Sequence, residues 1–254
     1  MKRTVIAALL IFSIVGCFNH AYFEGPDQFD EDFEAYHSVD DMFVDDDVLW
    51  SFTQLTMPEN TITIDSTFSH GGLKSIKCFA QAGADGTVSK ASFSKQNMAF
   101  WEGETMRASG WYYIPGDNEL DWLFIMDLEE QTAIGAGPGI RLAIVDNCLM
   151  VEHKYLEDDI YQPTTSQVPF PRNEWVYLNW EVYLSTKDDG TIKLYQNGEL
   201  ILSNNHTVTL PQDILYFQQG TKGMYSSIEF GATANPTGAD AIVWVDDIFV
   251  EVVK

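Results

Sequence analysis

The segment VWVDDIFVEVV, residues 243–253, sets two adjacent aspartates inside a β-branched, aromatic run. Side chains alternate across a strand, so Trp244, Asp246, Ile248, Val250 and Val252 share one face, and Val243, Val245, Asp247, Phe249 and Glu251 the other. Either register puts a carboxylate on a mostly apolar face, where an unpartnered charge costs several kcal/mol. Backbone N–H groups or a cation must meet it. A second pattern is EWVYLNWEVYL, 174–184. Val176, Leu178, Trp180, Val182 and Leu184 form an apolar face, opposed by Trp175, Tyr177, Asn179, Glu181 and Tyr183. Lys193 with Tyr195, and Arg107, Ser109, Trp111 and Tyr113, continue the polar-aromatic side. Rings stack on the C–H faces of sugars while planar polar groups pair with hydroxyls, so such a face suits a glycan. Packing of these rings in a second small core is the competing reading.

The elements that would position these residues are strands. Short alternating or β-branched runs recur: TITIDS, LKSIKCFA, TMRASGWYYIPG, WLFIMDLE, GIRLAIVD, LMVEHKYL, GTIKLYQNGELILS, SSIEFGA. Gly, Asn, Asp and Pro separate them, and the chain carries neither an amphipathic helical pattern nor a repeat of solenoid length. That spacing predicts an all-β, antiparallel sandwich. Asn197-Gly198 is a two-residue hairpin signal, Asp189-Gly190 marks the preceding turn, and GAGPG (135–139) reads as a loop between strands.

Formal net charge is −24, with 14 Lys and Arg in 254 residues. Nucleic-acid binding would lack its electrostatic term, as would attachment to anionic lipid through basic residues. The chain starts MKRTVIAALLIFSIVGCFNH, a basic n-region followed by an apolar stretch too short to span a bilayer. Its end, IVGC, resembles the lipobox of bacterial lipoproteins, which implies lipidation at Cys17 and a membrane partner reached through the acyl anchor, in the bacterial cell envelope at the outer membrane. The expected organisation is a signal peptide over 1–16, an acidic tether over 17–28 whose charge run continues to Asp47, and one domain over 29–254. Cys78 and Cys148 are open to a disulfide or to two separate thiols.

Taken together, RNEWVYLNWEVYLSTKDDGTIKLYQNGELIL (172–202) and IEFGATANPTGADAIVWVDDIFVEV (228–252) resemble the second half of concanavalin A-like jelly-roll domains. FDEDFE (29–34), SHGGLKSIKC (69–78) and GWYYIPG (110–116) are compatible with the first half. The resemblance implies a jelly-roll β-sandwich and a place beside lectins, laminarinase-type glucanases and several polysaccharide lyases. It also implies a structural calcium, with Asp32 or Glu34 and Asp246 or Asp247 supplying carboxylates and His70-Gly71-Gly72 the carbonyls. Glucanases of the superfamily carry E-x-D-x-x-E on one strand; Asp127-Leu128-Glu129-Glu130 departs from that spacing. Its lyases use a Tyr or His base with Gln, Asn or Arg neutralising the uronate, for which the candidates are His153, Tyr155, Arg107 and Arg141. YFQQGTKGMY (216–225) is similar to an alginate-lyase signature but has Gln218 in place of its lysine. The function expected is therefore non-catalytic binding of a polysaccharide or oligosaccharide on an aromatic-polar concave sheet, by Trp111, Tyr113, Trp175, Tyr177, Asn179, Glu181, Tyr183 and Tyr195. A polysaccharide lyase, a glycoside hydrolase and an adhesion or assembly protein are the alternatives.

Overall fold

Burial alternates along some strands of this chain, such as Trp175–Tyr183, and is continuous along stretches of others, such as Leu123 to Leu128. In the computed structural model, the described residues are 26–43, 50–83, 87–118, 120–132, 135–154, 156–211, 224–235 and 238–254. They form fourteen strands: β1 Gln28–Glu31, β2 Phe52–Leu55, β3 Thr61–Asp65, β4 Ser75–Ala80, β5 Ser89–Trp101, β6 Thr105–Tyr113, β7 Trp122–Thr132, β8 Gly135–Val145, β9 Cys148–Lys154, β10 Trp175–Tyr183, β11 Gly190–Gln196, β12 Glu199–Thr207, β13 Met224–Asn235 and β14 Ala241–Val253. A single 3₁₀ turn, Val39–Phe43, interrupts them.

Two antiparallel sheets result. One has the order β12-β11-β10-β6-β14-β4-β3, with β1 added against β14; the other runs β2-β5-β13-β7-β8-β9. They face each other across one large apolar core that includes Trp50, Phe93, Phe100, Tyr112, Trp180, Tyr225 and Phe230. Trp50 anchors one end, its ring edge-on to Phe93 at 4.6 Å between centroids. Burying each such side chain contributes roughly 1.5–3 kcal/mol. The arrangement is the jelly-roll β-sandwich expected from the strand spacing. Asn197 and Gly198 take φ of 50° and 84°, the left-handed pair a tight hairpin needs between β11 and β12.

The first and last strands lie side by side, with Gln28 to Glu31 paired to Glu251 to Ile248. Three expectations need correction. The charge run to Asp47 is not all solvated tether: Phe33 and Met42 are fully buried, because β1 is a sheet strand and the following segment covers the core edge. GAGPG is not a loop but the start of β8, its backbone paired with β7 through Gln131–Ala136 and Glu129–Gly139. Alternation through VWVDDIFVEVV also fails. Register against β6 shifts between Asp246 and Phe249, and Asp247 has φ of 47°. A β-bulge at the two aspartates lets Val243 and Val245, then Ile248, Val250 and Val252, all face the core. The carboxylates are thereby turned out of it.

Strand β5 escapes sequence reading because SKASFSKQNMAFW alternates small polar residues with few apolar ones. Cys78 and Cys148 are free thiols, the first in the core. Cys17 lies outside the described residues, among which no helix is long and apolar enough to cross a membrane.

Candidate functional site

Three strands of the six-stranded sheet each carry a lone charge within an apolar run: Asp127 in IMDL, Arg141 in GIRLAI and Glu229 in SIEFG. Ladder register aligns them. Phe52, Ser94, Glu229, Asp127, Arg141 and Glu152 are successive cross-strand partners from β2 to β9. Their sequence neighbours Leu128, Ile140, Ile228 and Phe230 belong to the core, so the row faces outward. Outward-facing polar groups are ordinarily wet, yet Asp127 is 0% exposed, Glu229 3% and Arg141 9%.

Buried charges persist only when paired and hydrogen-bonded, and here they are. Arg141 Nε donates to Asp127 Oδ2 at 2.8 Å and its Nη1 to Glu152 Oε2 at 3.2 Å. Thr233 Oγ1 donates to Asp127 Oδ1 at 2.7 Å, and Ser92 Oγ donates to Glu229 Oε1. In the adjacent row, Lys154 Nζ reaches Glu129 Oε1 at 2.9 Å across Gly139, which pairs with both residues. A Cβ at Gly139 would sit 2.9 Å from Glu129 Cγ, so the missing side chain opens that path.

Asp127, Glu129 and Glu229 bring one carboxylate oxygen each within 4.8 Å of one another, the one such acid group among the described residues. Burial pushes Glu229 up to about 7; Asp127 and Glu129 add to the shift, while Lys90 and the Ser92 hydroxyl oppose it. Burial alone would lower the Arg141 pKa, but the surrounding carboxylates outweigh it and hold it raised. Beside the row opens a cleft of about 340 Å³ lined by Lys90, Trp122, Phe124, Arg141, Glu152 and Lys154, among others. Trp122, 42% exposed, stacks near Phe124 at 6.0 Å. The Arg141 guanidinium lies 3.9 Å from the Phe124 ring centroid. A ring platform flanked by fixed donors and acceptors is suited to a polyhydroxylated ligand. Of its charged members, Arg141 stands out along the sequence for another role, and Asp127 and Glu129 as a pair on one strand. Glu229, Glu152 and Lys154 were missed because the group meets across strands; a lone charge in each of three apolar runs was the available signal.

The residues expected to bind glycan all lie on the opposite, outer face of the eight-stranded sheet. Cross-strand rows run Trp175–Tyr113–Trp244, Tyr177–Trp111–Asp246 and Lys193–Glu181–Arg107–Glu251. Phe68 folds over the first row, stacked on Trp175 at 5.4 Å and edge-on to Tyr113 at 4.7 Å. His70 stacks on Trp111 at 3.7 Å. Trp111, Tyr113 and Trp175 are thus capped by rings of the turn, yet they are half-buried, as are Tyr177, Asn179, Glu181, Tyr183 and Tyr195. Arg107 pairs there with Glu251 at 3.0 Å and Glu181 at 3.6 Å.

The lyase candidates do not converge. Arg107 is on the eight-stranded sheet and Arg141 on the outer face of the six-stranded one. His153 shares the inward face of β9 with Leu149 and Val151. Its Nδ1 is 3.0 Å from the Asp158 carbonyl, and burial lowers its pKa. Tyr155, like 216–223 of YFQQGTKGMY, lies outside the described residues. Tyr225 is buried, donating to the Thr209 carbonyl at 2.7 Å.

The acids expected to hold calcium gather at the turn preceding β4. Asp246 Oδ2 accepts the His70 and Gly71 amides at 2.8 and 3.2 Å, and its Oδ1 the Asp247 amide at 2.9 Å. Burial raises Asp246 to about 6, with these amides pulling the other way. Glu34 Oε1 accepts the Leu73 and Lys74 amides at 2.6 and 2.8 Å. Asp247 Oδ2 meets His70 Nδ1 at 2.9 Å. Asp32 instead caps its own turn through the Glu34 amide. Asp247 and Glu34 press against Gly71 and Gly72, where a Cβ would fill the space.

No family model matches the chain, and no curated protein matches it. Among solved structures it is similar to an endo-β-1,4-glucuronan lyase from the fungus Trichoderma reesei, at TM-score 0.65 and 12% identity over 88% of this chain and 94% of that one. It is also similar to the cellulose-induced protein Cip1, at 0.60 and 21% over 87% and 96%. The alginate lyase Aly36B follows at 0.56 and 9%, over 89% and 97%. The fold shared with these structures is the jelly-roll β-sandwich.

Proposed function

We propose that this chain is an envelope lipoprotein, anchored at Cys17, whose jelly roll binds polysaccharide without cleaving it. The binding surface is the cleft on the six-stranded sheet, with Trp122 and Phe124 as platform and Arg141, Glu152 and Lys154 as fixed polar partners. The observation that carries this is the outward-facing yet buried ion-paired row beside an exposed tryptophan, since charges locked in register keep donors and acceptors in place for a ligand. The fold is shared with lyases of glucuronan and alginate, one of them (Aly36B) crystallised with alginate tetrasaccharide. The dispersal of Arg107, Arg141 and His153 over three surfaces supports the non-catalytic form. Tyr177, Asn179 and Tyr195, at the open end of the aromatic face, are a second candidate surface.

Calcium belongs to this proposal as a structural ion: Glu34 and Asp247, each with one carboxylate oxygen outside the hydrogen bonds above, would hold it with Asp246 and turn carbonyls. A glycan array with the intact protein tests the central reading. Binding that Trp122→Ala weakens and Tyr177→Ala spares supports the cleft, and the reverse pattern moves the site to the aromatic face. An array without any bound glycan leaves adhesion through protein contacts as the better account. Sustained release of unsaturated products or reducing ends would overturn the non-catalytic part.

A further inference from the structure

Trp122 has two neighbours, not one. It borders both the 340 Å³ cleft beside Phe124 and a smaller cleft of about 160 Å³ around Leu120, Asn235 and Ala241. That neck in turn shares Asn118 with a wide cleft of about 740 Å³ bordered by Asp117, Asp146, Asn147, Gln167 and Phe170. Trp122 and Asn118 are thus common walls, and the three clefts adjoin in line. Taken singly, the neck is below the roughly 300–1,000 Å³ typical of small-molecule sites, whereas the line as a whole fits a chain.

Charge narrows the ligand further. In the first cleft Arg141 is committed to Asp127 and Glu152 and Lys154 to Glu129, so that Lys90 is the one base there outside these ion pairs. In the wide cleft Arg172 is spent on the carbonyls of Ile114, Pro115 and Asn118, Asp117 Oδ1 accepts from Asn173 Nδ2 at 2.9 Å, and the exposed Asp146 carboxylate faces the ligand. A polymer with a carboxylate on every ring would meet mostly paired bases at one end and uncompensated acidic charge at the other, within a chain of net charge −24. Four acids, Asp121, Asp240, Asp117 and Asp146, line the neck and the wide cleft against one cation, Arg172, and amides, carboxylates and rings in that balance match hydroxyl-bearing, uncharged sugars.

We infer that the three clefts form one continuous groove for a neutral polysaccharide chain, threaded past Trp122. This rests on the glycan-binding reading and adds chain length and charge class to it. Calorimetric titration of the intact protein with neutral gluco-, xylo-, manno- and galacto-oligosaccharides of two to eight units, beside oligouronates of equal length, tests it. For one neutral series, affinity should climb at least tenfold from the dimer to the hexamer. Trp122→Ala should lose about tenfold on the hexamer, the order of a lost ring contact, and Trp122→Phe should lose less, both with unchanged melting. Oligouronates should bind at least tenfold more weakly. Affinity that levels off at the dimer would overturn the continuous groove while leaving a one-cleft glycan site intact. Equal or tighter binding of oligouronates would overturn the neutral class. Failure of every oligosaccharide to bind would sink the underlying reading instead.

Discussion

The two outer faces of this sandwich solve the same problem in opposite ways. On the six-stranded sheet, charges stand in cross-strand register, pair at 2.8–3.2 Å and are nearly dry. On the eight-stranded sheet, aromatic rings dominate, and the ion pairs around Arg107 leave its side chain 43% exposed. A buried pair is rigid but intolerant of losing one member, because the survivor is left as an unmet charge. An exposed pair is screened and replaceable. The first face is therefore where substitutions should be costly, and the second where they should be mild.

Asp127→Ala tests that contrast most severely. It strands Arg141 in a buried site and should cost about 3–5 kcal/mol, read as a lower urea midpoint with an unchanged slope. Replacing both partners by apolar residues, Asp127→Leu with Arg141→Met, should recover much of the loss. A single variant as stable as the wild type would dissolve the difference between the faces.

Glu229 gives the next effect, and pH reveals it. Its folded pKa, about 7, lies above the ordinary glutamate value, so the folded chain keeps a proton that the unfolded chain has released. That contribution is complete below about 4.5 and disappears as pH rises through about 7. Wild-type stability should contain a component that falls between pH 5 and pH 8, and Glu229→Gln should lack it. Denaturation curves of the two proteins that stay parallel across that range would break the assignment.

How much of this was legible in the sequence follows the range of the interactions. Strand alternation is local, so β10, with its strict intermediate–buried repeat, and the Asn197-Gly198 hairpin could be read directly. The neighbouring first and last strands were legible through the resemblance. The bulge at Asp246 and Asp247 was not, because an extra residue in one strand is defined only by its partner's register. The same holds for the row Glu229–Asp127–Arg141: a search along one strand sees Asp127 and Glu129, and the third acid arrives from a strand about a hundred residues later. Ring types were legible on the aromatic face, but Phe68 and His70, which cover half of it, come from a turn without a pattern of its own.

That turn supplies a smaller, mixed case between the two faces. Gly72 has φ of 52° and lies against the Glu34 carboxylate, so Gly72→Ala should cost about 1–3 kcal/mol through strain and displacement of that carboxylate. The calcium proposal adds a second measurement at the same place. Wild-type melting temperature should be higher in calcium than in chelator, and Asp247→Asn should shrink the difference. Identical melting in both conditions would leave the amide-capped carboxylates as the whole of this corner.

Arg107→Ala is the smallest effect and completes the comparison. Arg107 Nη1 donates to Glu251 at 3.0 Å and its Nε lies 3.6 Å from Glu181, a bridge across β10, β6 and β14 that resembles the Arg141 bridge in plan. Solvent makes it different in energy: an exposed pair is worth less than about 1 kcal/mol and is screened by salt. The urea midpoint should move little, and about 0.5 M salt should erase even that shift, at an ionic strength that shortens screening to a few ångströms. Asp127→Ala should keep its deficit in the same salt, since water and ions do not reach that pair. A salt-insensitive loss at Arg107 comparable with that at Asp127 would mean that the eight-stranded face is as dry as its counterpart, and that exposure does not separate the two.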